Sequence, residues 1–301
     1  MRISTMQIYQ SGVDSMLDQQ SKLFKTQLQL STNQRFLSPA DDPIAAAQVI
    51  GLNESIAITA QYKANADAAV TRLNLEEGAL NGVNNALQRA RELAVRGNND
   101  ALGSEAREAL ALEMRQIIDE MLSLANTKDA SGEYLFAGFQ SQAAPFSHDG
   151  SGTFSFTGDQ GQRQLQIGPS RQIAVGDSGM DVFMKIDNAA GTGYQDAFTT
   201  LYTLATELEA DNPSLDRIAE IDNAIDNVLG IQARIGSRLN AIDREGEANS
   251  AFSLQLETAR SNVRDLDVIK ATTDLSRQLV TLQAAQQSFV KVQGLSLFNY
   301  L

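Results

Sequence analysis

The sequence predicts a mainly α protein with a small β insert, in which the N- and C-terminal segments build a long helical bundle or coiled-coil rod. Three observations carry this. Apolar residues recur at alternating steps of three and four on both sides of the middle. Glycine gathers centrally, with ten of 21 in residues 138–197 against seven in 1–137 and four in 198–301. Both chain ends are poor in charge. Repeats near 3.5 residues favour long helices crossing at shallow angles, and each Gly costs a helix about 1 kcal/mol against Ala.

Taken in order, Ile8, Val13, Leu17, Phe24 and Leu28 can share one face of a first helix. Ser38-Pro39-Ala40-Asp41-Asp42-Pro43 is a break, with Asp42 placed to cap the next helix and Pro43 at its first position, where a missing N–H costs nothing. One helix over 43–96 would run about 80 Å at about 1.5 Å per residue. Its stripe is Val70, Leu73, Leu80, Val83, Leu87, Ala90 and Ala94, with Glu77 in the row. Gly97-Asn98-Asn99 ends it, and Ser104 is placed to cap a helix striped by Leu110, Met114, Ile117, Met121 and Leu124.

The insert begins near Gly138. Thr153–Thr157, Gln164–Ile167 and Arg171–Val175 alternate like three short strands, with Gly158-Asp159-Gln160-Gly161 as a turn. Helix then resumes along Ile218, Ile221, Ile225, Val228, Gln232, Ile235, Leu239 and Ile242, and again along Phe252, Leu256, Ala259, Val263 and Leu266. The expected division is a terminal coiled-coil assembly domain (1–42 plus 267–301), a helical-bundle rod domain (43–137 plus 198–266) and a β-rich outer domain (138–197).

Composition narrows function. No Cys is present, which excludes disulfides and thiolate chemistry, and the single His148 lies in a polar, Gly-rich stretch read as loop. The usual zinc constellations are missing, and no catalytic, cofactor-binding or metal residue is predicted. Asp149, Asp159, Asp177, Asp181 and Asp187 could in principle do acid–base work. They stand in turn-like contexts where Asp is common for backbone reasons, so no enzyme is expected. A net charge of −13 argues against nucleic acid. No apolar run approaches the roughly 20 residues a bilayer needs, so no membrane partner is expected. The opening residues lack a secretory apolar core, leaving the cytoplasm or a route with no cleaved signal.

The extremities are the informative part. Residues 275–301 hold two charged side chains, Arg277 and Lys291, while Leu275, Leu279, Leu282, Ala285, Phe289, Val292 and Leu295 form a stripe that Phe298 extends. Gln, Ser and Thr fill the other faces, as Gln7, Gln10, Gln19, Gln20, Gln27 and Gln29 do in the first helix. A helix facing water normally sets many charges opposite its apolar stripe, whereas depletion of charge marks an interface core. Both ends therefore read as assembly surfaces, ordered by their neighbours. The plainer reading is a two-helix coiled coil with incidentally uncharged outer faces.

Four stretches resemble the flagellin superfamily, and its hook-filament junction members more than its filament members. They are Met1–Thr5; Gln29-Leu30-Ser31-Thr32-Asn33-Gln34-Arg35 with Ser38–Ala47; Ala125-Asn126-Thr127 with Gly132–Gly138; and Leu295-Ser296-Leu297-Phe298-Asn299-Tyr300-Leu301. Asn33 stands where the family commonly has Gly. The resemblance implies an extracellular flagellar protein exported by a type III route without a cleaved signal. Its implied partners are the first hook-associated protein, flagellin, copies of itself in a ring, and an export chaperone at the C-terminal helix. The segment Leu87–Val95 is similar to a flagellin segment that makes lateral contacts, which marks Gln88, Arg89, Arg91, Glu92 and Leu93; an ordinary helix with basic residues on one face is the alternative. A filament flagellin remains the nearest competing function, a cytoplasmic coiled-coil adaptor a more distant one.

Overall fold

The computed structural model describes residues 5–294, with side chains described from Gln7 to Lys291 except that of Ile8. The side chains of Ile8 and Val292, and all of Leu295 and Phe298, lie outside the described residues. Two compact units divide the chain, one from residues up to Ile58 with those from Ala251 onward, the other Thr59–Ser250.

In the first unit α1 (Thr5–Thr32) packs along α6 (Val268–Gly294), and the start of α2 (Pro43–Gly97) and the end of α5 (Asp216–Arg264) belong to the same unit. Asn33 ends α1 with φ 54°, the left-handed conformation that Asn tolerates better than most residues, so the family's glycine is dispensable there. Gln34 and Asp265 then form an isolated antiparallel bridge, and the Arg35 N–H donates to the Arg264 carbonyl at 2.8 Å. The Asp42 carboxylate accepts the Ala45 N–H at 3.0 Å and caps α2 as expected, with Pro43 its first residue. Asp267 caps α6 in the same way through Lys270.

The second unit is built on one core. Leu73, Leu80, Val83, Leu87 and Ala90 of α2, Met114 and Met121 of α3 (Ser104–Ala125), Leu201 and Leu204 of α4 (Ala197–Glu209), and Ile221, Ile231 and Ile235 of α5 are all fully buried in it. The strand region supplies Phe146, Phe154, Ile167, Val175 and Ile186 to the same core. Phe136, Phe146, Phe154, Phe183 and Phe198 pack ring to ring at 5.2–5.5 Å.

Among the described residues six short strands form three antiparallel pairs, where three strands were expected: β1 (Phe146–His148) with β2 (Phe154–Phe156), β3 (Gln164–Gln166) with β4 (Gln172–Ala174), and β5 (Ile186–Asp187) with β6 (Tyr194–Gln195). The three anticipated segments are β2, β3 and β4, with β2 and β4 one residue shorter at each end and β3 one residue shorter at its C-terminal end. His148 closes β1 instead of lying in a loop, and its Nδ1 accepts the Gly150 N–H at 2.7 Å. A five-residue π-helix, Met180–Met184, precedes β5.

Other boundaries shift for local reasons. Gly103, with no side-chain hydrogen bond, occupies the cap position of α3, and Ser104 is its first helical residue. Helix α3 stops at Ala125, where Asn126 turns its amide to the Phe146 backbone at 3.0 and 3.1 Å. Helix α4 is separated from α5 because Asp211 takes φ 58°. The buried acidic residue of α2 is Glu76, 1% exposed, and not the half-buried Glu77.

Candidate assembly interface

Helix α1 has two distinct faces. The face against α6 is Tyr9, Gly12, Met16, Gln19, Leu23, Thr26 and Leu30, a regular three-four alternation of half-buried and buried residues. Contact is close: a Cβ added at Gly12 would lie 3.0 Å from the Phe289 ring, and Tyr9 meets that ring edge-on at 6.0 Å. Thr26 is satisfied by donating its hydroxyl to the Lys22 carbonyl. This seam mixes the apolar Tyr9, Met16, Leu23 and Leu30 with the small or polar Gly12, Gln19 and Thr26.

The more apolar stripe points away from it, about 120° round the helix at about 100° per residue. Val13 is 40% exposed, Leu17 58%, Phe24 67% and Leu28 44%. Leu17, Phe24 and Leu28 line an open groove of about 540 Å³ with Gln20, Ser21, Lys25, Leu37 and Asp41. Its polar wall is organised. Asp41 accepts from Lys25 at 2.5 Å and from the N–H groups of Leu37 and Ser38 at 3.0 and 3.2 Å. The Lys25 bond chiefly, then the two amides, lower its carboxyl to about 2.

On α6 the predicted stripe does the opposite and turns inward. Leu275, Leu282 and Phe289 are half-buried, while Leu279 remains 42% exposed. Val280 and Val290, which the stripe did not include, are each 65% exposed. Elsewhere in this unit Ile44, Ile50, Leu254 and Ile269 are 66–82% exposed. Of the exposed apolar residues in this unit, Leu17, Phe24 and Leu28 share one groove, and grouped exposed apolar surface marks an interaction site.

Of the residues expected to make lateral contacts, Gln88, Arg89, Arg91 and Glu92 are exposed on α2. Leu93 is not available to a neighbour: it is fully buried in the helical core, because it falls in phase with Leu87 and Ala90 on the inward face. Arg89 bridges Glu92 at 2.8 Å and Glu113 at 2.6 Å, and Arg91 reaches Asp222 of α5 at 2.5 Å. Each of these exposed guanidinium groups is paired with a carboxylate.

The arrangement is that of an axial building block, with long helices, a charge-poor terminal pair and an apolar flank. Family comparison agrees. Residues 3–141 match the bacterial flagellin N-terminal helical region and residues 218–301 the bacterial flagellin C-terminal helical region. The class is therefore flagellin-like. Within it, the chain is 30% identical to the flagellar hook-associated protein 3 of Salmonella typhimurium and 31% to that of Escherichia coli, each alignment covering 99% of both chains. This chain belongs to the flagellar hook-associated protein 3 family. The crystal structure of hook-associated protein 3 from Legionella pneumophila shares the fold, with a TM-score of 0.66 at 21% identity over 70% of this chain and 98% of that one. Filament flagellins align as well, at lower identity. The relatives are structural proteins of the flagellum, and this chain is placed there with them.

Proposed function

We propose that this chain joins the flagellar hook to the filament as a mechanical adaptor between two tubular lattices, and orders its terminal helices as it is incorporated. The observation that carries the reading is the outward stripe of Val13, Leu17, Phe24 and Leu28, an apolar face on a helix whose own partner covers a different face. Apolar surface gains about 25 cal/mol per Å² on burial, so neighbouring subunits stabilise what the isolated chain leaves wet. Many such contacts in a ring add up to one durable joint.

On this reading residues 1–42 and 267–301 are the assembly domain, 43–137 and 198–266 the rod, and 138–197 the outer domain. Its neighbours are the first hook-associated protein on one side, flagellin on the other and further copies in the ring. Gln88, Arg89, Arg91 and Glu92 contribute lateral contacts, backed by buried Leu93. An export chaperone holds the C-terminal helix beforehand, and the subunit reaches the cell exterior without a cleaved signal. Deleting the gene tests this: bare hooks with flagellin shed into the medium are expected, and filaments that stay attached would overturn it.

A further inference from the structure

Glu76 is a buried carboxyl that the assembly reading does not use. It lies on the inward face of α2 between the fully buried Leu73 and Leu80. One of its oxygens accepts the Asp177 backbone N–H at 2.9 Å. The other is buried and has no hydrogen-bond partner among the described residues.

The groups facing it are committed elsewhere. From α5, Arg238 donates both terminal nitrogens to the Asp177 carboxylate at 2.8 and 2.9 Å, and Gln162 adds a bond at 3.1 Å. Arg72, one turn earlier on α2, lies 2.7 Å from Asp129 and 3.6 Å from Glu133, while Glu133 also holds Arg163 at 2.8 Å. An ionised Glu76 would therefore sit buried beside the Asp177 carboxylate, with both nearby guanidinium groups already paired. Burial first, then the charge of Asp177, push its carboxyl up to about 8, against the pull of the Asp177 amide, Arg238 and Arg72.

Asp177 belongs to a stretch that ties irregular chain to the helices. Ser178 is fully buried and donates to the Asp159 carbonyl at 2.9 Å, and the Gly179 N–H donates to the Phe136 carbonyl at 2.8 Å. We propose that Glu76 is a protonation-controlled latch: neutral, it holds the segment around Asp177 against α2; ionised, it is repelled by Asp177 and lets that segment open. The carboxyl binds its proton more tightly folded than unfolded. Its contribution is complete below about 4.5, the unfolded value, and is lost as pH rises through about 8.

The test is amide exchange on the full chain, expressed as protection factors so that intrinsic base catalysis cancels. From about pH 6 to about pH 9.5, protection at Asp177 and Gly179 should fall roughly tenfold or more in the wild type and stay level in Glu76→Gln, which keeps the acceptor oxygen without the charge. Equal profiles in the two proteins, or a level wild type, would overturn the latch. Should the variant fold poorly, the carbon-13 shift of the wild-type Glu76 carboxyl decides. A midpoint near 8 upholds the proposal; one near the ordinary carboxylate range refutes it.

Discussion

Replacing Leu17 and Phe24 together by serine isolates the outward stripe. They are 58% and 67% exposed, so well over half of each side chain is still unburied in the single chain. Full burial of such a side chain is worth about 1.5–3 kcal/mol, which leaves roughly 1–2 kcal/mol each to be gained from a neighbour. The pair should therefore weaken each interface by about 2–4 kcal/mol, or roughly 30- to 1,000-fold at about 1.4 kcal/mol per factor of ten. The intramolecular seam on the Gly12–Leu23 face is untouched, so the melting temperature of the dilute subunit should barely move. Complementation of a deletion strain, scored as attached filaments and as flagellin in the medium, reads assembly; calorimetry reads the subunit. A double variant that assembles as well as wild type refutes the argument. So does a subunit that melts many degrees lower, because the stripe would then be part of the intramolecular core.

Further expectations follow from single positions. Asp42→Ala removes the α2 cap and should cost about 1 kcal/mol in denaturant unfolding. Arg107, buried and bonded to the carbonyls of Gly97 and Asn99 and to Asp211, should cost about 3 kcal/mol when changed to Ala, seen in the same experiment. Gly152→Ala should destabilise by about 1–3 kcal/mol, since φ is 93° and the new methyl would strike the Tyr202 ring. Asp41 has a lowered folded pKa, so its contribution is present above about 3.8 and disappears as pH falls through about 2; Asp41→Asn should flatten that limb of a melting-temperature series.

What the sequence revealed was local chemistry and long periodicity. Asp42-Pro43 and Gly97 mark the two ends of a 55-residue helix because caps and breakers act within a turn. The strands were harder to read: β5 and β6, at two residues each, are too short for alternation to show, β1 offers a single apolar residue in Phe146-Ser147-His148, and their positions are settled by what Phe146 and Ile186 pack against. Glu76 and Glu77 both fit a three-four step between Leu73 and Leu80, and a one-residue difference in phase decides which is buried. The same ambiguity hid the α1 seam. The eye follows Val13, Leu17, Phe24 and Leu28 because they are apolar, yet the face that α1 gives to α6 is the Tyr9–Gly12–Met16–Gln19 row, visible in the spacing had polar members been allowed.

The bridge between Gln34 and Asp265 has a mechanical consequence. The stretch leaving α1 and the one leading into α6 are fastened to each other by backbone hydrogen bonds, Arg35 to Arg264 and Leu266 to Asn33. Main-chain bonds of this kind are indifferent to side-chain identity, so this yoke tolerates sequence drift. Load drawn along either tail is shared with its sister at the root, and the two extremities are harnessed as a team.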